Sequence, residues 1–219
     1  MDVGPNSAIA RPIINPLPVS WLGRADAPLD IPAAANIFRL TSTEIKNLLC
    51  QIAYDKSAWN YQKIGASNQL GRYQFSSTTL ENYGLLATGS NSTFGTDCVN
   101  HLTCWRPTTI RNSNSYATYN YNITSLAGFL NSVASQEHLA YQIVYDLYNT
   151  LAANNAITFD DSADMVAGMI YVAWNLGPGL SPSIGYPNGT GAYAWRYWGI
   201  GDGANLYNSG RYSVTILSQ

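Results

Sequence analysis

The chain has 219 residues, 46% of them hydrophobic and only 11% charged, with a formal net charge of −2. A core of ordinary size can form, but the charge content is far below the roughly one quarter usual for a soluble domain, and nothing in it points to nucleic acid. Sixteen tyrosines, set among many asparagines, serines and threonines, make a surface suited to stacking on sugars or to lasting contact with other proteins.

Residues 1–37 read as an extended arm. Pro5, Pro12, Pro16, Pro18, Pro28 and Pro32 oppose helix and favour a polyproline-like path. The opening stretch "MDVGPNSAIARPIINPLPVSWLG" lacks a basic start and an unbroken apolar run, so it does not read as a signal peptide. No run is long enough to cross a membrane. Trp21 and Leu22 suit an anchor on a neighbouring protein, and equally a strap around the chain's own domain, which is taken to span 38–219.

The first helix is predicted to start at Thr41. "TSTE" is a capping box, with Thr41 as cap and Glu44 reaching back, and Leu40 and Ile45 fit a staple around it. Ile45, Leu48, Leu49, Ile52 and Ala53 follow at helical spacing, and the helix is predicted to end near Tyr54 or Asp55. A short helix fits Thr79–Tyr83, closed by Gly84. Residues 85–122 read as a polar insert of loop or short strands, in which "WRPTTIR" and "SYATYNYN" are able to pair. Helices are then predicted over Thr124–Val133 and from Ser135 to about Ala153, the latter with Leu139, Ile143, Val144, Leu147 and Leu151 on one face. Asp161 or Ser162 caps a last helix whose Met165, Met169, Val172 and Ala173 read as buried, and Gly177 and Pro178 stop it. The fold class is therefore mainly α: a helical domain with a polar irregular insert and an extended Pro-rich arm.

Cys50 lies among apolar residues as a core thiol, whereas Cys98 and Cys104 flank a short loop and are either bridged or two reduced thiols. His101 and His138 stand isolated, so no metal site and no cofactor is expected.

Asp55 is the residue with chemical promise. At a helix C-terminus the dipole disfavours a negative charge, and Tyr54, Trp59 and Tyr61 can shield the carboxyl, which together suit a proton donor. An aspartate bonded to nearby amides at a helix end is the plainer alternative. "WNY", residues 59–61, offers two aromatic faces and an amide, as sugar sites do. In "GRYQF", Gly71 permits close backbone approach and Gln74 offers donor and acceptor. "AWNLGPG" puts Trp174 and Asn175 at the end of a buried helix.

Taken in order, "AYDKSAWNYQKIG", "LGRYQFSSTTLENYG" and "GMIYVAWNLGPG" resemble the lysozyme-like superfamily, most of all soluble lytic transglycosylases and the muralytic domains of phage tails. "FLNSVASQEHLAYQ" and "NSGRYSV" are similar to segments of phage-tail relatives, and the likeness spans roughly residues 40–212. The resemblance implies an α+β lysozyme-like fold, with Asp55 in the place of the acid glutamate, and Trp59, Tyr61, Tyr73, Gln74, Trp174 and Asn175 along a glycan cleft. Glu81, predicted in the first turn of the helix after "GRYQF", is the second carboxylate, placed to stabilise positive charge in the transition state. Aspartate is one methylene shorter than glutamate, about 1.5 Å of reach, and a misplacement of ~1 Å can cost on the order of a hundredfold in rate. Where no second carboxylate acts, the family precedent is attack by the sugar's own acetamido group, giving an anhydro product.

Three functions follow from the resemblance. The first is a virion-borne enzyme of lytic transglycosylase or muramidase type that cleaves peptidoglycan strands during envelope penetration, with tail or baseplate proteins as partners. The second is a tail or baseplate component of the same fold that has lost catalysis. The third is a stored endolysin, disfavoured because no separate wall-binding domain is visible.

Overall fold

The computed structural model describes residues 40–87, 105, 108–111, 118–121, 123–154, 156–158, 160–176 and 210–211. The Pro-rich arm, Cys98, Cys104, and the Gly177–Pro178 stop lie outside the described residues. The described chain is mainly helical, in the order α1 (Ser42–Ser57), α2 (Ser77–Asn82), β1 (Thr108–Arg111), β2 (Thr118–Tyr121), α3 (Leu126–Asn131), α4 (Val133–Ala153) and α5 (Ala163–Leu176).

α1 starts where its capping box says it must. Thr41 Oγ1 accepts from the Glu44 amide at 3.2 Å, and the Glu44 carboxylate takes the Thr41 amide at 2.7 Å, satisfying two otherwise orphaned donors. Ile45, Leu48, Leu49, Ile52 and Ala53 are all buried. The helix runs two residues past the expected end, to Ser57, and stops where Ala58 and Trp59 take left-handed backbone, with φ of 52° and 63°. The Lys63 ammonium donates to the Lys56 carbonyl at 2.8 Å, a cation on the open carbonyls of a helix end.

α2 starts two residues before the expected Thr79, because Ser76 is the cap and accepts from the Thr79 amide at 3.1 Å. Gly84, with φ of 76°, follows it as predicted. β1 and β2 pair antiparallel, Thr108 opposite Tyr121 and Arg111 opposite Thr118, joining the two segments picked out in the insert. α3 is shorter than predicted and is capped by Ser125, which accepts from Gly128 N at 3.0 Å. The chain breaks at Ser132, whose hydroxyl takes the Ser135 amide at 3.3 Å, so α4 begins at Val133, two residues early. On α4, Leu139, Val144, Leu147 and Leu151 are buried, while Ile143 is only half-buried. Ser162, not Asp161, starts α5: its carbonyl accepts from Val166 N at 3.0 Å, and Asp161 instead takes the Thr158 amide. Met169, Val172 and Ala173 are buried; Met165, in the first turn of α5, is half-buried. Among the described residues, no helix is long and apolar enough to cross a membrane, and no group of His, Cys, Asp and Glu is placed to hold a metal ion. Cys50 is a buried free thiol.

Two compact units are present, one with Asn36–Gln51 and Val144–Gln219, the other with Ile52–Ile143. Within the first, Gly210 and Arg211 of "NSGRYSV" lie against α5. A Cβ on Gly210 would lie 2.6 Å from the Ala167 carbonyl oxygen and 2.8 Å from Gly168 Cα, so only glycine permits this approach. Next to it, Arg211 Nε donates to Asp164 Oδ2 at 2.7 Å. Burial pushes the Asp164 carboxyl up, but the Ser162 hydroxyl, the Arg211 charge and hydrogen bond, and the Met165 amide outweigh it and hold it below its ordinary value of 3.8. A carboxyl depressed by folding stabilises the native state above its unfolded pKa and loses that contribution as pH falls through the folded one. Arg211→Ala is therefore expected to cost about 0.5–1 kcal/mol at neutral pH, the pair being part-exposed. The gap between variant and parent should close below about pH 4, as denaturant titrations at several pH values will show.

Candidate functional site

The nominated residues of the segment 55–81 all belong to the Ile52–Ile143 unit. Asp55 lies in the last turn of α1 and is exposed. The expected aromatic shield is not there, because each ring has other business. Tyr54 and Trp59 pack on one another at 4.8 Å between centroids, and the Tyr61 hydroxyl turns to Glu137. Beside Asp55, burial lowers the pKa of Lys56, and the Asp55 charge offsets part of that shift.

Ser57, two residues on, is buried. Its Oγ lies 2.6 Å from the Arg72 carbonyl oxygen and 3.1 Å from that of Ala53. A hydroxyl has one proton to give, and the shorter contact takes it. The end of the helix that carries Asp55 is thereby bonded to the "GRYQF" turn.

That turn is tightly wound. Leu70 and Phe75 exchange backbone hydrogen bonds at 2.9 Å, and the Gly71 amide donates to Lys63 O at 2.8 Å. Gly71 sits at φ of 75° and Gln74 at 52°. Gln74 Nε2 donates to Gly71 O at 2.8 Å and to Lys63 O at 3.2 Å. Both amide protons are thus spent on main chain, and the donor expected to face a ligand closes the turn instead.

Tyr73 also departs from the expected cleft-lining place. It is 1% exposed and its hydroxyl donates to Glu137 Oε2 at 2.7 Å. Its ring opens a buried aromatic row, through Phe75 at 5.6 Å and Phe129 at 6.1 Å to Trp105, which stacks on Phe129 at 5.5 Å. The ring went inward because its polar tip finds a buried acceptor there, the usual condition for burying tyrosine.

The acceptor, Glu137, was not singled out from sequence. It is 3% exposed and receives Tyr61 Oη at 2.7 Å on Oε1. Arg72, wholly buried, places Nε 3.5 Å from the same oxygen and donates from Nη1 to Tyr61 Oη at 2.8 Å. The guanidinium lies over the Tyr61 ring, 4.8 Å from its centroid, at cation–π range. Burial pushes the Glu137 carboxyl up, and the Arg72 charge with the Tyr73 and Tyr61 hydroxyls offsets part of it. Tyr61 is raised well above an ordinary phenol, by burial first and then by Glu137's charge and hydrogen bond, against the pull of Arg72. Its hydroxyl keeps its proton and stays a donor. One residue earlier, Gln136 Oε1 accepts the Arg72 amide at 2.8 Å, and Nε2 lies within 3.3 Å of the Phe129, Leu130 and Tyr61 carbonyls. A faint signal existed: Gln136 is three residues before Leu139 and seven before Ile143, so it stands on the apolar stripe of α4, where a polar side chain needs a partner.

Glu81 is the fifth of six residues in α2, not in its first turn, and is half-buried. The early start of the helix at Ser77 accounts for the difference, and Glu81 stands away from the positive end of the α2 dipole. Trp174 and Asn175 end α5 in the other unit, both half-buried, and Asn175 Nδ2 donates to Tyr171 O at 2.8 Å within its own helix. No protein-family model, curated protein or solved structure matches the chain.

A Cβ on Gly71 would fall 2.7 Å from Gln136 Cδ and closer still to its Oε1. That amide is buried and held at both ends, so it cannot swing away. Gly71→Ala adds left-handed strain to this clash and is expected to cost about 2–4 kcal/mol, read as a lowered urea midpoint at unchanged slope.

Proposed function

We propose that this is a lysozyme-like, tail- or virion-associated protein that cleaves the glycan strand of peptidoglycan during envelope penetration, with Asp55 as the acid. The observation that carries the reading is the Ser57–Arg72 hydrogen bond. It ties the helix end bearing the nominated acid to the turn bearing the "GRYQF" motif, and so supports one shared site. Around it, the half-buried Tyr54–Trp59 ring pair offers apolar faces of the kind that pack on sugars.

Glycosidic cleavage needs a proton delivered to the bridging oxygen. An exposed aspartate becomes a good donor only when the substrate itself excludes water around it. On this reading a bound glycan strand supplies the burial that the free protein lacks. With Glu81 near the end of α2, the sugar's acetamido oxygen bonds the anomeric carbon as the protonated leaving group departs; the sugar's own 6-hydroxyl then displaces that oxygen, returns its proton to the Asp55 carboxylate, and the product is an anhydro sugar. The partners are peptidoglycan strands and other tail or baseplate proteins, and the place of action is the bacterial cell wall.

A second reading has its own observation. The exposure of Asp55, together with its shorter side chain, fits a tail building block that keeps the cleft architecture without turnover.

Digestion of purified peptidoglycan by the parent chain, Asp55→Asn and Asp55→Glu, with products read by mass spectrometry, separates the two. The enzyme reading expects anhydro products from the parent and a loss of at least ~100-fold in Asp55→Asn. An inert parent with an active Asp55→Glu would hand the case to the second reading.

A further inference from the structure

Ala58, Trp59, Asn68 and Gln74 are the described non-glycine residues with left-handed backbone, and all four fall between 58 and 74. Such conformations persist only where surrounding contacts leave the chain no alternative, and they gather at working sites. Between these positions the segment is held by contacts from far along the chain. Glu137 holds the Tyr61 and Tyr73 hydroxyls and faces Arg72. Gln136 takes the Arg72 amide and donates to the Tyr61 carbonyl, and its side chain fills the space a Cβ on Gly71 would need. Two adjacent residues at the head of α4 thus grip the segment at positions 61, 71, 72 and 73, and through Arg72 O and Ser57 Oγ reach the end of α1, two residues from Asp55.

We propose that Gln136 and Glu137 are positioning residues for the 58–74 segment: they touch no substrate, and they set the placement of Trp59, Tyr61 and the Asp55 helix end. The consequence for turnover rests on the glycan-cleft reading, whereas the positioning itself does not. A simple structural pair would support the whole fold evenly. A positioning pair supports one segment.

The test is amide hydrogen exchange on the full chain, for the parent, Glu137→Gln and Tyr73→Phe. Glu137→Gln keeps the side-chain size and removes the charge facing Arg72. Tyr73→Phe removes one hydroxyl and leaves the ion pair, so it decides the matter should the first variant fail to fold. Exchange in peptides covering 58–74 is expected to rise on the order of tenfold or more, with α5 peptides within about twofold of the parent. Unchanged exchange over 58–74 in Tyr73→Phe, or an equal rise in α5, overturns the proposal. On peptidoglycan, Tyr73→Phe is expected to lower kcat by about ten- to a hundredfold with KM little changed, because the reacting groups are misplaced while substrate contacts remain. A raised KM at constant kcat overturns it. A parent that cleaves nothing defeats the glycan reading alone, and the exchange result still decides the positioning.

Discussion

The Ile52–Ile143 unit depends on a guanidinium that has no water around it. Arg72 is 0% exposed, and a cation in that position is tolerable only if an opposite charge and hydrogen bonds replace its hydration. Glu137 brings the charge, and Tyr61 shares its hydroxyl between the two, donating to the carboxylate and accepting from the guanidinium. Tyr73 satisfies the second carboxylate oxygen. The cluster has little freedom: moving the Tyr61 or Tyr73 hydroxyl strands a carboxylate oxygen of Glu137 in a medium of low polarity.

That rigidity explains how the neighbouring backbone keeps its unusual shape. A helix that ends on alanine and tryptophan in left-handed conformation, and a turn that closes on glutamine at positive φ, are locally unfavourable by of order 1 kcal/mol or more each. The buried cluster and the aromatic row of Tyr73, Phe75, Phe129 and Trp105 supply the compensation. Asp55, in the last turn of α1, stands exposed beside this segment.

For the proposed glycan chemistry this arrangement divides the labour. Geometry is built into the protein in advance, through Ser57 and Arg72, while the low-polarity environment an acid needs is left for the substrate to create. A shorter acid has little tolerance for misplacement, which is why the order of the 58–74 segment weighs as heavily on the reading as the identity of residue 55.

By itself the sequence determined what depends on near neighbours. The capping box at Thr41, the apolar spacing of α1, the glycine after α2 and the helices α4 and α5 were legible, because caps, turns and helical faces are set by residues within a few positions of one another; the pairing of the insert's two segments left only a faint mark. Helix starts slipped by two residues where a serine upstream of the expected start held the cap, as Ser76 does for α2 and Ser132 for α4. Only the tertiary structure decided what Tyr73, Gln74 and Glu137 do. Tyr73 and Gln74 read as cleft residues by their motif, yet one is drawn inward by an acceptor 64 residues away and the other is consumed by its own turn. Glu137 was missed because its role exists only opposite Arg72, and the demand of a buried charge for a partner is met across space, 76 residues from Tyr61, with no mark in the local pattern beyond a polar pair beside an apolar stripe.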